Sequence, residues 1–209
     1  MDNRMELCKS YAKRSIVDII YRATVVEGLG TTYLKTERIL GNLPVSTTRE
    51  EMCFVLNMKH AYEVIFDTIT EPIDVMYIRE LHKMLGENLI YDCGILRTYN
   101  MSIGGTQWKP ELPDYDNVKD CLLRINSLDN PEAKAMAYFC YITRSQLFSD
   151  GNKRLAQLLT NKVLIENGIG IFKIPYEEDT WRTLLVEYYE TNNAYRLCKY
   201  LNDNCVERI

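Results

Sequence analysis

The chain has 209 residues, of which 46% are hydrophobic and 26% are charged, and its formal net charge is −4. That length suits one substantial domain with room for a small helical extension. Because Lys and Arg are scattered and form no basic stripe, we expect no nucleic-acid binding. The stretch Met1–Ser10 is too polar for a secretory signal, and the most apolar run, residues 135–142, is too short to cross a bilayer. We therefore expect a cytoplasmic protein without membrane association.

The seven cysteines and two histidines show no metal-binding pattern. No CxxC pair occurs, and an odd number of cysteines without ligand spacing is typical of reduced thiols in the cytoplasm. His60 and His82 both lie in stretches with helical periodicity. We therefore expect packing or surface roles for them rather than ligand binding.

Helical periodicity of apolar residues dominates the chain and predicts a mostly α-helical protein. The segment that begins at Pro131 is apolar on nearly all sides, so its helix should lie at the centre of the core. The predicted helices cover residues 2–23, 36–40, 47 or 48 to 65, 74–85, 114–125, 131–145, 155–164, 178–189 and 194–203.

The segment from Gly94 to Pro110 differs from the rest of the chain. Gly104 and Gly105 are adjacent, β-forming residues flank them, and prolines follow. This composition predicts a hairpin or an extended flap inserted into the helical domain.

The loop between the two central helices, Phe148–Arg154, combines residue types that bind polyphosphate. Gly151 allows a backbone that turns several amides toward one point, and the following helix presents its positive end there. Arg154 and Lys153 can bind phosphate oxygens, and the carboxylate of Asp150 can hold Mg²⁺. An ordinary turn followed by a helix cap has the same sequence, so the loop alone leaves both interpretations open.

The string Gln146–Arg154 resembles the signature of the Fic/Doc family, His-x-Phe-x-Asp/Glu-Gly-Asn-Gly/Lys-Arg. Two further segments are similar to family elements in the same order. Residues 24–28 resemble the inhibitory helix, and residues 94–110 resemble the flap. The resemblance implies an all-α, Fic-type helical bundle with a small β-hairpin flap. It also implies an N-terminal helical segment, 1–45, with an inhibitory-type helix, followed by a Fic core domain, 46–209.

Fic proteins typically transfer AMP from Mg-ATP to a hydroxyl group of a target protein. The resemblance therefore implies ATP, Mg²⁺ and an unidentified target protein as partners, and it is compatible with a homo-oligomer. In this scheme Asp150 binds the metal and Arg154 grips the terminal phosphates. Asn152, with the amides of Gly151 and Lys153, stabilises the transferred phosphoryl group.

The resemblance also implies a role for the flap in binding the target protein. Its exposed edge would dock a target segment as an added strand, and we expect Trp108 to be a packing anchor. The edge consists of Ile103, Gly104, Gly105 and Thr106.

Glu27 is the inhibitory residue that the resemblance implies. The family's glutamate forms an ion pair with an arginine of the signature, here Arg154, and places a carboxylate where the γ-phosphate would bind. The family has Ser or Thr four residues earlier, whereas this chain has Ala23.

Gln146 replaces the family histidine that takes the proton from the attacking hydroxyl. An amide can orient a hydroxyl but cannot accept its proton, and loss of a general base typically costs about 10²–10⁴ in rate. The sequence therefore predicts a nucleotide-binding protein, a pseudoenzyme, with weak or lost AMP transfer. Two alternatives stay open: a protein-binding regulatory module that uses the flap, and a transferase or de-AMPylating hydrolase that uses Glu27 as its base.

Overall fold

The computed structural model describes residues 3–176 and 179–209. These residues form ten α-helices and one two-stranded sheet, joined by loops. The predicted all-α fold class is confirmed. The helices are α1 Asn3–Arg14, α2 Ile16–Val26, α3 Tyr33–Leu40, α4 Arg49–Asp67, α5 Val75–Gly86, α6 Tyr115–Asn126, α7 Pro131–Ser145, α8 Asn152–Glu166, α9 Thr180–Thr191 and α10 Tyr195–Asn204. The strands are β1 Gly170–Phe172 and β2 Val206–Arg208.

Short polar side chains begin several of these helices. The side chains of Asp74, Asp114 and Asn130 each accept a hydrogen bond from a backbone amide in the first turn of α5, α6 and α7. Thr48 and Glu51 form a reciprocal capping box at the start of α4. Such caps satisfy amides that the helix cannot pair internally.

The helix predicted over residues 2–23 is two helices, α1 and α2, separated at Ser15. The backbone of Ser15 has φ −88° and ψ 3°, so the chain leaves regular helical geometry at that residue. The second helix continues beyond Ala23 to Val26. Asp2 and Glu178, the first residues of two predicted helices, lie outside the described residues.

The small sheet lies away from the predicted flap. All of residues 94–113 are described, and they form extended chain and turns instead of paired strands. The sheet instead joins β1 to β2 in antiparallel register, with Gly170 opposite Arg208. The segment is therefore an extended flap, and the described strand pairing instead joins the segments on either side of α9 and α10.

The core is built around α7 and α8, which pack against each other along their length. Ala135, Tyr138, Phe139 and Ile142 of α7 are fully buried, which confirms the predicted central position of this helix. Because the two helices are consecutive, the loop that joins them lies at one end of the buried pair. No helix among the described residues is long and apolar enough to span a bilayer.

A buried carboxylate fastens the N-terminal segment to α4. Glu51 accepts hydrogen bonds from the hydroxyl of Thr31 at 3.1 Å and from the ammonium of Lys35 at 2.9 Å. The hydrogen bond from the Thr48 amide, together with that from Lys35, lowers the pKa of Glu51 to about 2. These contacts hold the chain just after Glu27 against α4.

Candidate functional site

The loop between α7 and α8 depends on two residues in the left-handed backbone region. Gln146 ends α7 with φ 45°, and Gly151 begins α8 with φ 75°. A Cβ at position 151 would lie 3.2 Å from Nε2 of His82 and 3.4 Å from Nη2 of Arg154. Glycine is therefore required at this position by both its backbone conformation and its neighbours.

Asn152 braces the loop from the first turn of α8. Its Oδ1 accepts a hydrogen bond from the Phe148 amide at 3.1 Å, and its Nδ2 donates to the Phe148 carbonyl at 2.8 Å. The same Nδ2 donates to Oε1 of Gln146 at 3.1 Å, and only 3% of Asn152 is exposed. The side chain thus holds the loop closed, while the first amides of α8 are ones that a helix leaves without internal partners.

His82 also stabilises the loop, a role that no motif in the sequence indicates. The residue is fully buried in α5, and its ring stacks on Phe148 with 3.8 Å between the ring centroids. The Gly94 amide donates to Nδ1 at 2.9 Å, so the ring proton is on Nε2, which donates to the Asp150 carbonyl at 2.8 Å. His82 therefore connects the start of the flap to the loop. The helical periodicity around His82 predicts that it packs inside the protein, and the structure agrees. The same pattern does not predict which groups it contacts.

Acid should weaken the fold through His82. Burial lowers the pKa of His82 from 6.5 to about 4. The neutral ring therefore stabilises the folded state above pH 6.5, and this contribution, about 3 kcal/mol in full, is lost as the pH falls from 6.5 toward 4. Urea unfolding of the wild type and of His82→Gln at pH 7 and pH 4.5 measures this loss. We expect a smaller pH dependence in His82→Gln.

The matched control is His60→Gln, which removes the other histidine, 57% exposed on α4. This variant should keep the full pH dependence of the wild type. An unchanged pH dependence in His82→Gln would instead place the acid-sensitive group elsewhere.

Arg154 and Asp150 form an ion pair at the mouth of a small pocket. Nη2 of Arg154 lies 3.0 Å from Oδ2 of Asp150, and Nη1 donates to the Leu85 carbonyl at 3.3 Å. The guanidinium also lies over the ring of Phe54 at 5.0 Å. The Arg154 side chain is buried, whereas that of Asp150 is 66% exposed. Nε of Arg154 has no hydrogen-bond partner among the described residues.

Glu27 faces the same pocket, but its partner differs from the expected one. The predicted ion pair with Arg154 is not formed, because Arg154 turns back to Asp150 and the end of α5. Oε2 of Glu27 instead lies 3.3 Å from Nζ of Lys153. The pocket has a volume of about 120 Å³ and is lined by Glu27, Leu29, Glu50, Phe54, Leu89, Asp150 and Arg154.

Gln146 is held on both sides of its amide. Nε2 donates to the Thr143 carbonyl at 2.7 Å, and Oε1 accepts from Asn152. The Gln146 carbonyl also accepts a hydrogen bond from Nε of the buried Arg97 at 2.9 Å. Burial raises the pKa of the neighbouring Tyr189, so this phenol stays protonated. Neither the Gln146 amide nor the protonated Tyr189 phenol can therefore act as a general base.

The flap is fixed at its tip by Glu190, a residue of α9 that sequence reasoning did not single out. The carboxylate accepts hydrogen bonds from the Thr106 hydroxyl and, at 2.7 Å, from the Gln107 amide. These hydrogen bonds lower the pKa of Glu190. Gly104 and Gly105 are exposed, as expected for a docking edge. Of the predicted edge, Ile103 and Thr106 are only partly exposed.

Trp108 anchors the base of the flap, in agreement with the packing role predicted for it. The guanidinium of Arg144 stacks over its ring at 3.5 Å, and the indole N–H donates to the Arg144 carbonyl at 3.4 Å. The ring also packs against the hydrophobic core. The flap is therefore tied to α7 at its base and to α9 at its tip.

Comparison with known folds places this arrangement among Fic-domain structures. Fic-1 (aa134–508) from C. elegans superposes with a TM-score of 0.77 at 18% identity, over 91% of this chain and 60% of that chain. A Fic domain containing signaling protein from Bacteroides thetaiotaomicron gives 0.77 at 18% identity, over 93% and 84% of the two chains. The chain thus spans less than two thirds of the length of the C. elegans structure.

A third similar structure contains a nucleotide analogue. BepC, a VirB-translocated effector protein from Bartonella tribocorum, was solved with bound AMPPNP. It superposes with a TM-score of 0.55 at 13% identity, over 78% of this chain and 90% of that chain. No curated protein matches the sequence. The sequence model of the Fic/DOC family matches residues 72–164, from before α5 to near the end of α8, a segment that includes the loop between α7 and α8.

Proposed function

We propose that this protein binds Mg-ATP on a Fic-type nucleotide-transfer scaffold and that its AMP transfer is weak or absent. The observation that carries the proposal is the loop between α7 and α8. It brings Asp150 and Arg154 to one pocket at the N-terminus of α8, and Gln146, at the end of α7, is the residue that the resemblance aligns with the general-base histidine of the family. The bound AMPPNP of BepC supports nucleotide as the ligand class.

The chemistry of the pocket suits the phosphates of a nucleotide. The unpaired first amides of α8 and the positive end of its dipole favour an anion. Arg154 has a buried Nε without a partner among the described residues, and a phosphate oxygen is the acceptor that a guanidinium binds best. In this proposal Arg154 leaves Asp150 and takes the terminal phosphates. Gly151, Asn152 and Lys153 contribute their amides to the phosphate nearest the helix.

Asp150 would hold Mg²⁺. Its side chain is largely exposed at the pocket mouth, and Mg²⁺ commonly uses one or two carboxylates together with phosphate oxygens and water. When bound, the ion would neutralise phosphate charge; Asp150 would fix its position on the loop.

Glu27 would limit access to the phosphate pocket. We propose that residues 1–45 act as the inhibitory segment of a core formed by residues 46–209. The Glu27 carboxylate would repel phosphate oxygens. Its ion pair with Lys153 would also neutralise a positive charge of the loop that could otherwise attract phosphate. Ala23, which is buried in α2, has no hydroxyl that could support the end of the helix that precedes Glu27.

Isothermal titration calorimetry with Mg-ATP tests the proposal. We expect measurable binding by the wild type and about tenfold tighter binding by Glu27→Gln, because the variant loses a charge that faces the phosphates. Glu6→Gln is the matched control: this glutamate also pairs with a lysine, Lys9 at 3.7 Å, but lies on the surface of α1. Its Kd should equal that of the wild type.

The same titration separates the proposal from its alternatives. Absence of heat with both the wild type and Glu27→Gln would favour a protein-binding module that acts through the Glu190-bound flap. Hydrolysis of a pre-formed AMP ester by the wild type, lost in Glu27→Gln, would favour the hydrolase that uses Glu27 as its base.

A further inference from the structure

Two cysteines outside the nucleotide pocket lie in contact. Sγ of Cys140 in α7 is 3.3 Å from Sγ of Cys198 in α10. Both side chains line a groove of about 560 Å³ between these helices. The proposed nucleotide function uses neither thiol, so their proximity calls for a separate explanation.

We propose that Cys140 and Cys198 form a peroxide-reactive thiol pair, in which Cys198 is the attacking sulfur and Cys140 the resolving one. The two residues differ in accessibility as these roles require. Cys198 is partly exposed to the groove, whereas only 4% of Cys140 is exposed. A small oxidant that enters the groove therefore meets Cys198 first.

The surroundings of Cys198 favour its thiolate form. The residue lies in the first turn of α10, near the positive end of that helix. The contact between the two thiols lowers the pKa of Cys198 and raises that of Cys140. The thiolate is the nucleophilic form of cysteine. Accessibility and electrostatics therefore both indicate Cys198 as the attacking sulfur.

The reaction balances with a hydroperoxide as the oxidant. The Cys198 thiolate attacks one oxygen of hydrogen peroxide, the O–O bond breaks, and the released hydroxide takes up a proton to become water. Cys198 is then a sulfenic acid. The Cys140 sulfur attacks the Cys198 sulfur, the S–O bond breaks, and the hydroxyl leaves as a second water with the Cys140 proton. Two thiols are oxidised to one disulfide, and one peroxide is reduced to two waters.

Little movement is needed for the second step. A disulfide has an S–S length of about 2.05 Å, so the sulfur atoms must approach by about 1.3 Å from their present separation of 3.3 Å. Apolar side chains of α7, Ala133, Met136 and Ala137, form one wall of the groove. The bond would tie the C-terminal helix α10 to α7, the helix that ends at Gln146.

Mass spectrometry of the full chain tests the proposal. Reduced protein is treated with about one equivalent of hydrogen peroxide, alkylated under denaturing conditions and digested. We expect a loss of two hydrogen masses, two fewer alkylated cysteines among the seven, and a peptide pair that joins Cys140 to Cys198. Dithiothreitol should reverse all three changes.

Variants assign the roles of the two sulfurs. Cys198→Ser should slow peroxide-dependent loss of thiol at Cys140 by about tenfold or more, because the attacking thiolate is gone. Cys140→Ser should let a sulfenic acid accumulate at Cys198, where dimedone traps it. Cys53→Ser, at another partly exposed cysteine, should leave the disulfide unchanged.

Two results would overturn the proposal. One is a disulfide between other cysteines, or none at all, in the wild type under these conditions. The other is unchanged oxidation of Cys140 in Cys198→Ser, provided that its circular dichroism spectrum matches that of the wild type. Neither result bears on Mg-ATP binding, which the calorimetric experiment tests separately.

Discussion

The double variant Gln146→His with Glu27→Gln should increase auto-modification with labelled ATP by well over tenfold, and toward a hundredfold. A positioned general base contributes about 10²–10⁴ to proton-transfer catalysis, and the imidazole can accept the proton that the amide of Gln146 cannot. Histidine also tolerates the left-handed backbone of position 146, where φ is 45°, better than most residues. The second substitution removes the carboxylate that faces the phosphate pocket.

Single variants show how much of the rate increase comes from the new base at position 146 and how much from removal of the Glu27 carboxylate. Gln146→His alone should give an intermediate signal, because Glu27 still faces the pocket. Glu27→Gln alone should tighten nucleotide binding but leave transfer low, since the base is still missing. Gln146→Asn is the matched control, because it changes the side chain without supplying a base. Incorporation of label into the purified protein, measured against time, gives the initial rates.

An unchanged rate in the double variant would locate the defect outside the base position. Gln146 accepts a hydrogen bond from Asn152 and donates one to the Thr143 carbonyl. If an imidazole at position 146 keeps these partners instead of facing the acceptor hydroxyl, the pH–rate profile will show no new ionisation near neutrality. A misplaced base leaves Mg-ATP binding intact, so calorimetry with the double variant separates a misplaced base from an absent nucleotide.

The helices and the loop could be predicted because their signals are local. Apolar stripes and the glycine turn at Gly151 act within a few residues, and the structure places the central helices and this turn where the sequence predicts them. The break at Ser15 was missed because apolar periodicity continues through it. The strand β1 was missed because three residues are too few for an alternating pattern to be recognised.

The partners within the site could not be predicted, because they depend on where distant segments meet. His82 is 68 positions from Asp150, and the flap residue Thr106 is 84 positions from Glu190. Nothing near either residue in the sequence marks these contacts. The ion pair of Glu27 illustrates the same limit. The family pattern placed the glutamate near the right loop, but which cation it contacts depends on the direction in which each side chain leaves α8.

Glu27 pairs with Lys153 and leaves Arg154 free of it, so experiments can decide which of these two cations binds the terminal phosphates. Arg154→Ala should weaken Mg-ATP binding by about tenfold to a hundredfold and AMP binding by less than about threefold. The reason is that a charge-assisted contact to phosphate contributes about 1.5–3 kcal/mol and AMP lacks the terminal phosphates. Calorimetric Kd values for both nucleotides measure the difference. Arg22→Ala, at an arginine of α2 that pairs with Asp18, is the control.

Arg154 also has structural contacts, so a second variant keeps the result interpretable. Its guanidinium donates to the Leu85 carbonyl and binds Asp150, and its removal should lower the thermal midpoint. Arg154→Lys retains a charge and should recover part of the ATP affinity. Equal losses for ATP and AMP in Arg154→Ala would mean that this arginine supports the loop without reaching the terminal phosphates. If Lys153→Ala then shows the selective loss of ATP, Lys153 is the phosphate-binding cation. Glu27 would in that case inhibit by occupying the very side chain that the nucleotide needs.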